Sequence, residues 1–216
     1  MDPQSTGDPQ STYDRIAAHF SKTREYAWPE VESFLDGRAA TRALDVGCGN
    51  GRHAEPLAER AEAVVGVDLS RELLREAVAR ARERGYDGAA SFVHGDAASL
   101  PIATDAVGLA VYVATLHHLP SREARVRSLD ELARVLAPGG TALVSAWSTA
   151  HDRFDREEGF DTTVDWTLPG GETVPRYYHI YSPEEFEADL GESALGAVDV
   201  EISSGNCYAT VAPSDD

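Results

Sequence analysis

Apolar runs alternate with helical patterns along most of this chain. RALDVG (42–47), AVVGVDL (63–69) and SFVHG (91–95) read as strands, VGLAVYVATL (107–116) as a strand buried on both faces, and TALVSAW (141–147) as a fifth. Between them lie a short helix from about Arg52 to Arg60 and a longer one from Ser70 to Arg84. In the longer one Ser70 is placed to cap, and Leu73, Leu74, Ala77, Val78 and Ala81 share a face. Ser121 opens another helix, whose stripe of Leu129, Leu132, Ala133 and Leu136 stops at Pro138, Gly139 and Gly140. The alternation predicts an α/β fold with a mostly parallel sheet and helices on both faces. The segment 148–175 shows no convincing period and reads as a long loop. Beyond it, Ser182, Pro183 and Glu185 mark a helix start, and AVDVEIS (197–203) with NCYATVA (206–212) read as a closing hairpin. Polar tails at 1–12 and 213–216, expected to be disordered, flank a single domain over 13–212. Within it, 13–38 forms a helical arm and 148–181 a substrate-side insertion.

Composition changes this picture in three respects. With 216 residues, 42% of them hydrophobic, the chain is long enough for one sizeable core and short for two. It has neither a membrane-length apolar run nor the basic-then-apolar order of a signal peptide, so a cytoplasmic location is expected. Cys48 and Cys207, 159 positions apart, suggest neither a disulfide framework nor a zinc site. The net charge of −18 would by itself argue against a nucleic-acid partner. Yet Lys22 is the only lysine against 18 arginines, and the acids are spread along the chain. That pattern suits a protein of a salt-loving organism, a haloarchaeon, where molar salt shortens the Debye length to about 3 Å. An ordinary acidic cytosolic protein is the alternative.

DVGCGNG sets Gly47, Gly49 and Gly51 directly after the first strand. The dinucleotide fingerprint fits poorly: its sixth position is Arg52, and Asp45 would repel a pyrophosphate. An acid at Asp45 suits a ligand bringing an ammonium or a sulfonium, and S-adenosylmethionine carries both. Asp68, 21 residues beyond Gly47, stands where a carboxylate accepts hydrogen bonds from ribose hydroxyls, and Asp96 could take an adenine amino group. Turn-forming aspartates in a flavodoxin-like fold are the alternative. LDVGCGNG, GVDLS, HGDAASLP and RVLAPGG resemble the successive motifs of class I S-adenosylmethionine-dependent methyltransferases over about residues 40–147. The resemblance implies a Rossmann-like seven-stranded sheet with an antiparallel last strand. It also implies cofactor contacts at Asp45, Gly47, Asp68, Leu69, Asp96 and Ala97. Cys48 and Gly49 of the loop, and Tyr13 and Arg24 of the arm, complete the expected cofactor set.

The acceptor is read from YDRIAAHFSKTREYAWPEV (13–31), LHHLPSREAR (116–125), SAWS (145–148) and RYYHIY (176–181). Strand ends converge on one crevice, so His117, His118, Trp147 and Arg176 to His179 are expected to share a pocket of cations and stacking surfaces, suited to an unpaired base. A carboxylate acceptor is ionised at neutral pH and needs no general base, only orientation and a guanidinium. Arg176 is the candidate, with His117 as hydrogen-bond donor and Tyr177, Trp147 and His179 completing the catalytic set. Strand alternation sends Arg176, Tyr178 and Ile180 to one face and Tyr177, His179 and Tyr181 to the other, so at most half can face the acceptor. Core filling by the tyrosines and by His118 is the alternative.

The arm, the HHL segment, Arg-Tyr-Tyr-His and a closing Asn206-Cys207-Tyr208 together resemble the tRNA wobble-uridine methyltransferases that esterify 5-carboxymethyluridine, from Tyr13 to Val211. The sequence departs from them at Cys207, where an indole is usual, and in its acidic 148–175 segment. The resemblance implies the tRNA anticodon loop as substrate and a small zinc-binding activator subunit that pairs with an edge strand at 90–95. Residues 88–95 hold no Lys, Arg, Asp, Glu or Pro, as a covered edge would, and Phe92 is the expected contact. A methyltransferase of a quinone precursor or small carboxylic acid, and a catalytically silent cofactor-binding scaffold, are the competing readings.

Overall fold

The computed structural model describes residues 8–214. The tail residues 1–7 and 215–216 lie outside the described residues. The arm starts earlier than the sequence suggests: helix α1 runs Pro9–Thr23, with Pro9 in its first turn and Asp8 Oδ2 accepting the Ser11 amide hydrogen at 3.2 Å. Residues 9–12 therefore belong to the helix and not to a tail. A second arm helix, α2 (Pro29–Leu35), leads into β1 (Ala40–Val46).

Strand and helix then alternate through α3 (Ala54–Ala58), β2 (Ala61–Asp68), α4 (Arg71–Arg84), β3 (Ala90–His94), β4 (Val107–Val113), α5 (Arg122–Val135) and β5 (Leu136–Trp147). The caps lie where the sequence places them: Ser70 Oγ accepts from the Leu73 amide and Ser121 Oγ from the Ala124 amide. The chain ends with α6 (Pro183–Glu192), β8 (Leu195–Ser203) and β9 (Asn206–Pro213). Pro213 is therefore the last residue of a strand and not the first of a tail.

The seven-stranded sheet has the order β3-β2-β1-β4-β5-β9-β8, with β1 to β5 parallel and β9 antiparallel to both its neighbours. Both faces are covered, as a parallel sheet requires. Along β4 the side chains alternate between two cores. Ala110 and Tyr112 join Leu129, Leu132 and Phe186 on one face, while Leu109 and Val111 join Val31, Phe34 and Leu57 on the other. Among the described residues, no helix is long and apolar enough to cross a membrane.

The segment expected as a loop is for the most part a second sheet. β6 (Phe160–Thr167) and β7 (Thr173–Ile180) form an antiparallel hairpin closed by the turn Leu168–Glu172, with Val164 facing Arg176 and Trp166 facing Val174. Along β6 the inner side chains Val164 and Trp166 alternate with exposed Asp161, Thr163, Asp165 and Thr167. Pro169-Gly170-Gly171 supplies the turn. Two threonines and two aspartates gave the stretch a polar look that hid its period of two. β7 is tied to the end of β5 by Tyr181 N to Trp147 O at 3.0 Å and Thr149 N to Tyr181 O at 2.8 Å.

Gly47 ends β1 with φ of +69°, and a Cβ there would lie 2.1 Å from Thr115 Oγ1. The position thus excludes a side chain on both conformational and steric grounds. Gly47→Ala is expected to lower unfolding stability by about 2 kcal/mol or more in urea titrations, against about 1 kcal/mol for Gly139→Ala, where φ of +78° strains a side chain but nothing lies within 4 Å.

Candidate functional site

The parallel strands end on one side of the sheet, and the order reverses between β1 and β4, where open α/β sheets bind ligands. A cleft of about 760 Å³ opens there. Its floor is made by the turns that follow β1, β2, β3 and β4 and by Trp147 at the end of β5. Its roof comes from α1 and the β6–β7 hairpin.

In the half over β1 to β3, the glycine loop is pinned to the next strand. Gly47 N and Cys48 N donate to Val67 O at 2.7 and 3.1 Å, and Gly49 N donates to Asp68 Oδ2 at 2.8 Å. Asp68 Oδ1 accepts from Ser70 N at 2.8 Å, so each carboxylate oxygen spends one lone pair on the backbone. Burial raises the Asp68 carboxyl above its ordinary value, against the pull of those amides. Asp96 Oδ1 accepts from Ala98 N at 2.8 Å. Gly47, Cys48, Gly49, Asp68, Leu69, Asp96 and Ala97 all line the cleft, as do Tyr13 and Arg24 from the arm.

Asp45 is the exception in this set. It lies beneath the loop, 1% exposed and off the cleft wall, with Oδ2 unpartnered, because its strand position puts it one step before the turn. Burial first, then the charge of Asp68, pushes its carboxyl up to about 7, opposed by Arg52 and the Ala54 amide.

The arm is fastened over this half by polar contacts. Asn50 Nδ2 donates to Arg24 O at 2.9 Å, Ser70 Oγ donates to Asp14 Oδ1 at 2.6 Å, and Glu72 N donates to the same oxygen at 3.1 Å. Asp14 on α1 thus caps α4 from outside.

The half over β4 and β5 is aromatic. Tyr178 stands 4.9 Å from His117, 4.4 Å from His118 and 5.4 Å from Trp147, between ring centroids. His118 Nδ1 donates to the Tyr177 carbonyl at 3.0 Å, which leaves Nε2 to accept from the Tyr13 hydroxyl at 2.8 Å. His117 Nδ1 accepts from Trp147 N at 2.9 Å, so its neutral ring carries the proton on Nε2. Burial holds His117 well below the usual range and pushes His118 down to about 4, so both rings are neutral at physiological pH. Ala114, between them and β4, adopts φ of +56° and donates its amide to Ser145 Oγ at 3.2 Å, a backbone conformation that a non-glycine residue adopts only under constraint.

Arg176 is 8% exposed, its guanidinium carbon 4.9 Å from the Trp166 ring and 5.1 Å from that of Tyr178. Among the described residues it has no salt bridge, and its Nε is buried without a partner.

Alternation along β7 divides the expected catalytic set. Arg176 lines the cleft together with His117 and Trp147. Tyr177 and His179 do not, because odd positions point to the sheet's other side. There the Tyr177 hydroxyl donates to Asp161 at 2.7 Å, and the two His179 ring nitrogens lie 2.8 Å from Asp161 and 2.9 Å from Glu185. Tyr177 thus ties β7 to β6, and His179 braces the hairpin against α6. Tyr178 lines the cleft beside Arg176, whereas Trp166, Thr115 and Arg52 were not singled out in advance as site residues. The period of β6 marks Trp166, and the shared parity with Arg176 marks Tyr178.

A family model described as a methyltransferase domain matches residues 43–140. With this geometry and the relatives that follow, the chain belongs to the class I S-adenosylmethionine-dependent methyltransferases. More particularly, it is 34% identical to a putative methyltransferase of Encephalitozoon cuniculi over 80% of this chain and 79% of that one. It is also 34% identical to the mouse tRNA (carboxymethyluridine(34)-5-O)-methyltransferase ALKBH8, over 63% of this chain and 19% of that one. The chain spans between a fifth and a third of several curated relatives it matches. A chain from the complex between the Haloferax volcanii Trm112 methyltransferase activator and a putative methyltransferase shares the fold, with a TM-score of 0.70 and 15% identity, over 97% of this chain and 99% of that one.

The raised Asp45 pKa sets a pH dependence. The folded state favours the protonated carboxyl, a contribution fully present below about pH 4 and lost as pH rises through 7. Urea titrations at pH 4.5 and pH 8 are expected to show wild type losing on the order of 2–4 kcal/mol more than Asp45→Asn across that window.

Proposed function

We propose that this protein esterifies the carboxylate of 5-carboxymethyluridine, or of a related derivative, at the tRNA wobble position, with S-adenosylmethionine as methyl donor. Arg176 carries the reading. A guanidinium held out of water with no carboxylate partner is costly unless an anion joins it, and a carboxylate matches its donor fork. Such an acceptor is ionised at neutral pH. The neutral imidazoles of the cleft agree with this, since no base is needed and His117 Nε2–H is a donor suited to a carboxylate oxygen. Tyr178 and Trp147, which line the cleft, offer the faces on which an unpaired base stacks. That several relatives are named carboxymethyluridine methyltransferases supports this acceptor.

The cofactor half fits the donor. Asp68 keeps a free lone pair on each oxygen for ribose hydroxyls, Asp96 has one free oxygen for an adenine amino group, and the glycine loop lets a ligand approach the backbone. When bound, S-adenosylmethionine supplies an electrophilic methyl group on a sulfonium, and the orphaned Asp45 Oδ2 beneath the loop contributes negative potential to a site for a cation. The chain's own residues hold the acceptor oxygen, screen it from water and neutralise it.

The acidic remainder of the molecule favours a second reading, transfer to a small carboxylic acid. Against it, Arg24, Arg52, Arg127, Arg153 and Arg176 line the cleft while Asp68 and Asp96 are its only acids among the described residues. The cations of a chain with net charge −18 are thus gathered where RNA phosphates would enter.

A small zinc-binding activator on β3 is part of the proposal. Among the described residues β3 pairs only with β2, and its Val93 is exposed. Phe92 faces inward, its ring 2.6 Å from where a Gly66 Cβ would stand, so Val93 and not Phe92 tests the interface. Val93→Asp is expected to abolish co-purification with the activator while leaving the thermal midpoint of the isolated chain within a few degrees; retained co-purification would refute the edge pairing.

Mass spectrometry of tRNA nucleosides tests the acceptor. Cells lacking the gene are expected to accumulate 5-carboxymethyluridine at the expense of its methyl ester. Purified Arg176→Gln is expected to lose about 100-fold or more in kcat/KM on tRNA, with an unchanged melting temperature. Unchanged wobble nucleosides, or transfer to free small acids alone, would transfer the assignment to the second reading.

A further inference from the structure

Helix α1 roofs both halves of the cleft, and neighbouring residues on it are tied to different walls. Adjacent helical positions point about 100° apart, so Tyr13 and Asp14 reach different partners. Asp14 accepts from Ser70 Oγ at 2.6 Å and from Glu72 N at 3.1 Å at the head of α4, and Ser70 N in turn donates to Asp68 on the cofactor wall. Tyr13 donates to His118 Nε2 at 2.8 Å, and His118 Nδ1 donates to the Tyr177 carbonyl at 3.0 Å. The imidazole thereby joins the arm to the backbone of β7. Only a neutral ring supplies an acceptor and a donor at once, and His118, pushed down to about 4 by burial, is neutral.

This link ends beside Arg176. Lower down, β7 is anchored by Tyr181, whose amide donates to Trp147 O at 3.0 Å and whose carbonyl accepts from Thr149 N at 2.8 Å. Arg176 lies beyond that anchor, one residue from the carbonyl that His118 holds. The other polar ties of α1 to the hairpin fall further out: Arg15 pairs with Glu172 in the turn, and Trp166 Nε1 donates to His19 Nδ1 at 3.0 Å on β6. Tyr13 and Phe20 line the cleft, so a ligand in the half over β1 to β3 rests against α1. A helix pressed down by its ligand cannot lift, and it then keeps Tyr13 on His118.

We infer that Tyr13 and His118 are positioning residues that couple the two halves of the cleft: a ligand seated under α1 steadies β7 and so orders Arg176 before the acceptor arrives. This rests on the assignment of Arg176 to the acceptor and not on which acceptor it is.

The test is amide hydrogen exchange of the purified chain, with and without saturating S-adenosylhomocysteine and with no tRNA present. In wild type the ligand is expected to slow exchange of Thr173–Ile180 about fivefold or more, together with the glycine loop 46–52. In Tyr13→Phe and His118→Leu, each saturated with the same ligand, the loop is expected to stay slowed while the slowing in β7 falls below about twofold. His118→Gln, whose carboxamide keeps one donor and one acceptor, is expected to restore part of it. Where His118→Leu loosens the hairpin even without ligand, Tyr13→Phe, which removes a single oxygen atom, carries the test. Slowing of β7 that persists in Tyr13→Phe would overturn the inference, as would a wild-type response confined to the loop. Loss in Tyr13→Phe with full slowing in His118→Leu would overturn it as well, since the arm would then act without the imidazole. An intact coupling beside unchanged wobble nucleosides would move the acceptor to the small-acid reading and leave the inference standing.

Discussion

The end of β1 has room for a bare backbone and nothing more. Gly47 turns back on itself against the Thr115 side chain while its amide and that of Cys48 are drawn to the Val67 carbonyl. That contact joins three consecutive neighbours of the sheet, β2, β1 and β4, at the point where the order reverses. It fixes the glycine loop relative to Asp68, and it fixes the turn after β4 that carries Ala114, His117 and His118. Both halves of the cleft are measured from this one reversal, so a displacement there would move cofactor and acceptor walls together.

The main sheet was largely legible in the sequence because β4 and the ends of β1, β2 and β5 are apolar runs, and α4, α5 and α6 carry their own serine caps. The glycine loop and its three acids were legible for the same local reason. What stayed hidden depends on partners distant in sequence. β6 is stabilised by an inner row of Val164 and Trp166 that only the packing against α1 and β7 reveals. Its outer row of aspartates and threonines gives it the hydropathy of a loop.

Asp45 shows the opposite limit. It was read as a cofactor contact and lies behind the cleft wall, because periodicity cannot tell a wall from the layer behind it. Likewise RYYHIY is one strand serving two environments. Arg176 and Tyr178 face the cleft, while Tyr177 and His179 join Asp161 and Glu185 in a polar brace that holds the hairpin to α6. Parity alone separated these two sets, and residue type alone did not.

The placement of charge carries a consequence for the medium in which the molecule works. A net charge of −18 spread over the outer surface is a long-range field, and dissolved ions collapse it: at about 1 M salt its reach shrinks to roughly 3 Å. The arginines stacked on Trp28, Trp166 and Tyr178 lie below the depth that mobile ions reach freely, so their pull on a seated anion is weakened far less. Molar salt would therefore remove the repulsion of an approaching anion while sparing the attraction of these arginines for a seated one.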